Sequence, residues 1–229
     1  MKDNPKSQRS GAETAASPFV GEKVPPKELR EWLDAVLYEY LQPICLGLSL
    51  FYTLVSVLHF LTLPAFMKYR MAVTALGSAA GLLLLYRRLG RRPVPARWSH
   101  PLCAGIAGLV WVNSILHLYG SQEAIQSTNL AVLIVGSGFF FLSTRWLTVV
   151  VLVSLLSWTV VAWTAVHPAG WHHYGVTLAE CTVLSYLVHI MQIRTHRRTI
   201  VTLKQLEKAQ LHLSHRTRDM EKTQLELER

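Results

Sequence analysis

The sequence predicts an all-α integral membrane protein: a six-helix bundle whose last span continues into a cytoplasmic parallel coiled coil. Three observations predict it. Apolar residues gather into six stretches close to the length a helix needs to cross hydrocarbon, about 20 residues. The residues behind the net charge of +9 cluster where those stretches end. No Gly or Pro occurs from Val176 to Arg229, so one helix of 54 residues is permitted there, about 80 Å long at ~1.5 Å per residue.

In chain order, residues 1–26 are rich in Lys, Ser, Pro and Ala and end in Pro25-Pro26, which predicts a flexible cytoplasmic tail. No apolar core precedes a cleavage site, so no signal peptide is expected. Over 27–42, Leu29, Trp32, Leu33, Val36, Leu37, Tyr40 and Leu41 recur at helical spacing, with Glu28, Glu31, Asp34 and Glu39 on the other face. This predicts an amphipathic helix on the inner membrane surface. Its acidic face would suit the basic loop Arg87 to Arg97, or the helix is a passive elbow into the first span.

Residues 43–193 hold the six spans, running roughly from Ile44 to Leu63, Met71 to Tyr86, Leu102 to Tyr119, Thr128 to Leu142, Trp146 to Val166 and Tyr174 to Ile193. The second and fourth are short. Arg87, Arg88, Arg91, Arg92, Arg97, Arg145, Arg194, Arg197 and Arg198 lie on one side of these spans, and only Lys68 and Arg70 on the other. The positive-inside rule then puts both termini in the cytoplasm. The basic charge therefore reports topology, and no nucleic-acid partner is expected. Trp98 and Trp146 fall at inner span ends and Trp171 at an outer one, as interface anchors do. Gly77 and Gly81 form a G-x-x-x-G, with Gly105 and Gly108 in the next span, spacings that permit close helix packing. Cys45, Cys103 and Cys181 have no pairing or metal-type spacing and read as small apolar residues.

Residues 194–229 carry heptads. Leu203, Leu206, Gln210, Leu213, Thr217, Met220, Gln224 and Leu227 alternate by three and four, with Leu206, Leu213, Met220 and Leu227 at d and three polar residues among the a positions. Such a coil is specified in register and weak in stability. Extended backward, the register takes in Thr199, His196, Gln192, His189, Ser185 and Thr182, so the polar stripe of the sixth span is in phase with the coil. One continuous homodimer seam is expected. On it, His189 would bond Ser185 one turn back, or would meet its twin and repel it when protonated.

No phosphate loop, nucleophile elbow or zinc signature is present, so this segment is not expected to be an enzyme. Polar groups at membrane depth are the site candidates. His59, Asn113, His117 and Glu180 fall in the outer parts of spans one, three and six, with His167, Trp171, His172 and His173 in the loop before span six. Glu180 lies opposite the seam and is expected to turn inward toward the histidines of spans one and three. The resulting outer pocket would hold a small molecule, a transition metal on His59, His117, His172 and His173, a haem between two histidines, or protons. Plain structural histidines account for the same residues.

A short cytoplasmic tail, six spans and an uninterrupted helix from Leu178 to Leu227 together resemble the membrane-integral, MASE-like sensor modules of bacterial histidine kinases and diguanylate cyclases. The resemblance is one of architecture and covers residues 29–229. It implies a parallel homodimer in the bacterial inner membrane that senses a ligand and relays it through the coil to a kinase or cyclase, as in two-component signalling. The chain stops within a heptad, so that output domain is expected beyond Arg229. The competing expectations are a small transporter or channel that uses Glu180 and the histidines as an ion path, and a membrane haem protein.

Overall fold

The computed structural model describes residues 25–91, 94–165 and 170–227, which are helical with no strand among them. Six helices follow in order: α1 Pro26–Thr62, α2 Ala65–Arg91, α3 Ser99–Ser121, α4 Ser127–Phe140, α5 Thr144–Thr164 and α6 Trp171–Leu227. Short 3-10 turns, Ala96–Trp98 and Ala124–Gln126, lead into α3 and α4. The chain divides into a unit Pro26–Arg198 and a second unit that includes Thr199–Arg229.

Five of the helices are long and apolar enough to cross a membrane. The exception is α4, whose 14 residues reach only about 21 Å, against roughly 30 Å of hydrocarbon. The second stretch, short in sequence, is extended by flanking polar residues into a 27-residue helix that carries Arg87, Arg88 and Arg91 in its last turns rather than in a loop. Outward faces are apolar, with Leu61, Phe66, Val73, Leu84, Val132, Leu156 and Trp163 all largely exposed. Much of the interior is small or polar: Ser49, Ser78, Ser114, Ser127, Ser137, Ser154, Ser185, Asn113 and His189 are buried. Water would penalise that surface, and lipid would solvate it.

The first two helices show how such an interior is held. The Ser49 hydroxyl donates to Ala79 O at 2.9 Å and the Ser56 hydroxyl to Ala72 O at 2.8 Å, across a contact lined by Ala72, Ala75 and Ala79. Small side chains let the backbones approach, and the hydroxyls add hydrogen bonds between them. Gly77 and Gly81 are not part of this contact. Both are exposed, and a Cβ at either meets nothing.

Proline starts α1, where its missing N–H costs nothing, and Pro43 stands inside it. The segment expected on the membrane surface is thus continuous with the first apolar stretch. Its apolar face is covered by protein: Leu33, Leu37, Leu41, Cys45, Ser49 and Tyr52 form one buried stripe. The polar flank also meets protein, since Ser99 Oγ donates to Asp34 O at 2.8 Å and Val94 N donates to Tyr38 Oη at 3.1 Å. A period of 3.6 shows which face is apolar and leaves open whether lipid or protein covers it.

Candidate functional site

The densest polar arrangement among the described residues joins α6 to the connection between α4 and α5. Phe141 ends α4 in an extended conformation and Ser143 precedes α5 in another. A carbonyl at a helix end has no intrahelical partner. His189 supplies one: Nδ1 lies 2.8 Å from Phe141 O. A carbonyl only accepts, so Nδ1–H is the donor. In a neutral imidazole Nε2 then accepts, and it lies 2.9 Å from the Thr144 hydroxyl. One turn earlier, Ser185 Oγ donates to Ile134 O at 2.7 Å. Tyr186 Oη and Thr148 Oγ1 add a bond of 2.7 Å.

Glycine makes this approach feasible. A methyl group on Gly138 would overlap the Ser185 carbonyl oxygen and stand 2.7 Å from its hydroxyl oxygen. Farther along, the His196 ring packs edge-on against Trp32 of α1, with centroids 5.5 Å apart.

These contacts correct the expected dimer seam within span six. Ser185 and His189 are at most 1% exposed in a single chain, so they face that chain's own α4 and α5. The expected Ser185–His189 bond is replaced by two separate bonds to backbone carbonyls. Thr182 and Gln192 are half-buried on the same stripe, and the Thr182 hydroxyl bonds Leu178 O within α6. Glu180, opposite that stripe, is exposed as a consequence rather than turned toward the histidines. The sequence fixes the angle between Glu180 and the stripe, and the structure turns both together.

At the other end of the same unit, His59 of α1 and His117 of α3 do meet, with ring centroids 5.3 Å apart and planes 37° apart. Asn113, one turn before His117, is buried. Its Nδ2 donates to Ser78 Oγ at 2.7 Å and Leu109 O at 2.8 Å. Asn113 Oδ1 and His59 Nδ1 are buried without a hydrogen-bond partner. Buried polar atoms are normally paired, so two orphans at this end, together with the imidazole pair, make it a candidate for a polar ligand.

The rest of the expected pocket does not gather around that pair. Trp171 is buried beside Trp158, ring to ring at 6.1 Å, and Trp158 Nε1 donates to Ser127 Oγ at 2.8 Å. His172 and His173 are exposed, and His167 lies outside the described residues. No group of three or more His, Cys, Asp or Glu among the described residues could hold a metal ion.

Sequence reasoning missed a second polar group, near His189. Asp34 Oδ1 and His100 Nε2 are 3.3 Å apart, with the side chains 27% and 12% exposed. Asp34 had the appearance of one more surface carboxylate, and a histidine at the start of α3 has no local signature. Phe141, Thr144 and Gly138 likewise carry no motif. Compared with known protein families, curated proteins and solved structures, the chain matches none.

Proposed function

We propose that this chain is the membrane-embedded input module of a bacterial signalling receptor: a six-span bundle in the inner membrane, both ends cytoplasmic, paired as a parallel homodimer through its C-terminal coil. One observation carries the reading. The 57 residues of α6 form one unbroken helix whose polar stripe is clasped by its own protomer up to His196, while the heptad residues beyond it are uncovered. Leu203, Leu206, Leu213, Met220 and Leu227 are 52% to 83% exposed, an apolar seam that a second copy would bury.

The mechanism follows from the clasp. Ser185, Tyr186 and His189 together make four side-chain hydrogen bonds to α4, α5 and their connection. At ~0.5–1.5 kcal/mol each, the clasp is worth roughly 2–6 kcal/mol, the scale over which ligand binding shifts a two-state equilibrium. A ligand at the His59–His117 end would favour one setting of α6 against the bundle. The helix would carry that setting to the coil, whose polar Gln210 and Thr217 weaken any single packing. A kinase or cyclase joined to the coil would read it.

Disulfide cross-linking in membranes tests this, in a chain whose native cysteines are replaced by alanine. Leu213→Cys should link two protomers, whereas His215→Cys, on the opposite face, should not. His189→Cys should also fail, because its own protomer covers it. Equal linking at 213 and 215, or none at 206, 213 and 220, removes the homodimer and with it the receptor reading.

A further inference from the structure

Two cavities follow one another along the same faces of α1 and α3. The first, about 440 Å³, is the more polar of the two, with Arg30, Asp34, His100, Ser143, Thr144 and Arg145 in its wall beside several apolar residues. The second, about 180 Å³, is apolar, with Leu41, Leu48, Cys103, Val110, Val132 and Phe140 in its wall. Asp34, Leu41 and Leu48 recur every seven residues on α1. His100, Cys103, Ala107 and Val110 recur every three or four on α3. Both rows are therefore single helix faces that pass from the polar cavity to the apolar one. The α4–α5 connection gives Phe141 to the apolar cavity and its neighbour Leu142 to the polar one.

Charge and exposure identify an occupant. The Asp34 carboxylate is engaged by His100. Neither Arg30 nor Arg145 pairs with a carboxylate among the described residues. The pocket thus offers two guanidinium groups, a chemistry suited to phosphate, beside the start of α5, where Ser143 makes no side-chain capping bond. At the rim of the apolar cavity Val132 is 73% exposed, so the cavity opens on the apolar outer surface.

We propose that this paired cavity binds an anionic phospholipid, with the phosphate at Arg30 and Arg145 and one acyl chain in the apolar cavity against Leu41 and Leu48. A soluble phosphate ester would leave the apolar half empty, and a zwitterionic lipid would bring a second cation toward the arginines. The site adjoins the α6 clasp, because Thr144 lines the polar cavity and also bonds His189.

Native mass spectrometry of the purified full chain, titrated with lipid, tests the assignment. Phosphatidylglycerol should be retained at least about tenfold better than phosphatidylcholine with the same chains. Arg30→Gln with Arg145→Gln should abolish that preference. Arg87→Gln with Arg88→Gln, which removes equal charge from the end of α2, should leave it. Gly136→Leu should expel the acyl chain and lower retention, since a Cβ at Gly136 meets nothing and the larger side chain has room to enter the cavity. Equal retention of the two lipids, or equal losses in the two arginine pairs, overturns the site. Unchanged retention in Gly136→Leu, or glycerol phosphate binding as tightly as the lipid, overturns the lipid as its occupant.

Discussion

Replacing Gly138 by alanine tests the clasp where it is tightest. The added methyl would overlap the carbonyl oxygen of Ser185 and crowd its hydroxyl at 2.7 Å. The main obstacle is backbone in the middle of α6, which has no rotamer to change, so α4 and α6 must separate. Overpacking of this kind costs about 1–3 kcal/mol, and the shift strains or breaks the bond from Ser185 Oγ to Ile134 O, another ~0.5–1.5 kcal/mol. Alanine also gains roughly 1 kcal/mol of helix propensity over glycine, a gain common to any helical glycine. Gly81→Ala supplies the reference, because Gly81 is helical and a Cβ there meets nothing. Relative to it, Gly138→Ala should be destabilised by about 2–4 kcal/mol, read from tryptophan fluorescence during denaturant titration in detergent. Adding Ser185→Ala should not rescue it, since the carbonyl remains. Stability within about 0.5 kcal/mol of the reference, or full rescue by the second change, would show that the helices do not meet as described.

Two further outcomes use the same assay. His189→Phe keeps a ring of similar size and strands both Phe141 O and the Thr144 hydroxyl. It should cost about 1–3 kcal/mol, with Thr144→Val costing less and the two coupled rather than additive; simple additivity would argue against a shared bond. Ser78→Ala takes an acceptor from the buried Asn113 amide and should destabilise by about 1 kcal/mol, whereas Asn113→Leu removes the partnerless Oδ1 as well and should be neutral or stabilising. A large loss in Asn113→Leu would make Asn113 a structural tie and not a binding group.

The helices were legible because apolar run length and a 3.6 period are properties of the chain itself. The azimuth of each stripe was not. On α1, periodicity picked out Leu33, Leu37 and Leu41 correctly, yet lipid was expected where protein lies. On α6 it found Ser185 and His189 on one stripe and assigned that stripe to a second copy, when α4 and α5 of the same chain cover it. The G-x-x-x-G at Gly77 and Gly81 matched a packing pattern and faces outward. Depth was the more reliable coordinate. It brought His59 and His117 together, because both lie near the same end of their helices, but it could not turn Glu180 inward. The Asp34–His100 contact joins residues 66 positions apart in sequence with no periodic relation, so no local pattern encodes it.

If the receptor reading holds, a clasp made of single hydrogen bonds switches more sharply than a greasy seam would. Apolar packing changes gradually as helices slide, whereas a hydrogen bond is largely lost over about an ångström. Ser185 and His189 hold α6 to backbone carbonyls, whose positions are set by α4 and by the Phe141–Ser143 connection. Whatever moves that connection therefore acts directly on the His189 bonds, while the Ser185 bond answers to α4. His189 is the more exposed to such a shift, because its two partners, Phe141 and Thr144, stand at the two ends of the same short connection. Thr144 is also the wall of the polar cavity, and α1, which carries the Asp34 side of that cavity, carries His59 at its other end. One helix thus touches the imidazole pair and one connection touches the clasp, with the Asp34–His100 contact and the cavity wall between them. If the receptor reading holds, Thr144→Val should weaken the response to ligand more than its small cost in stability would allow, since it removes the contact through which the cavity reaches α6.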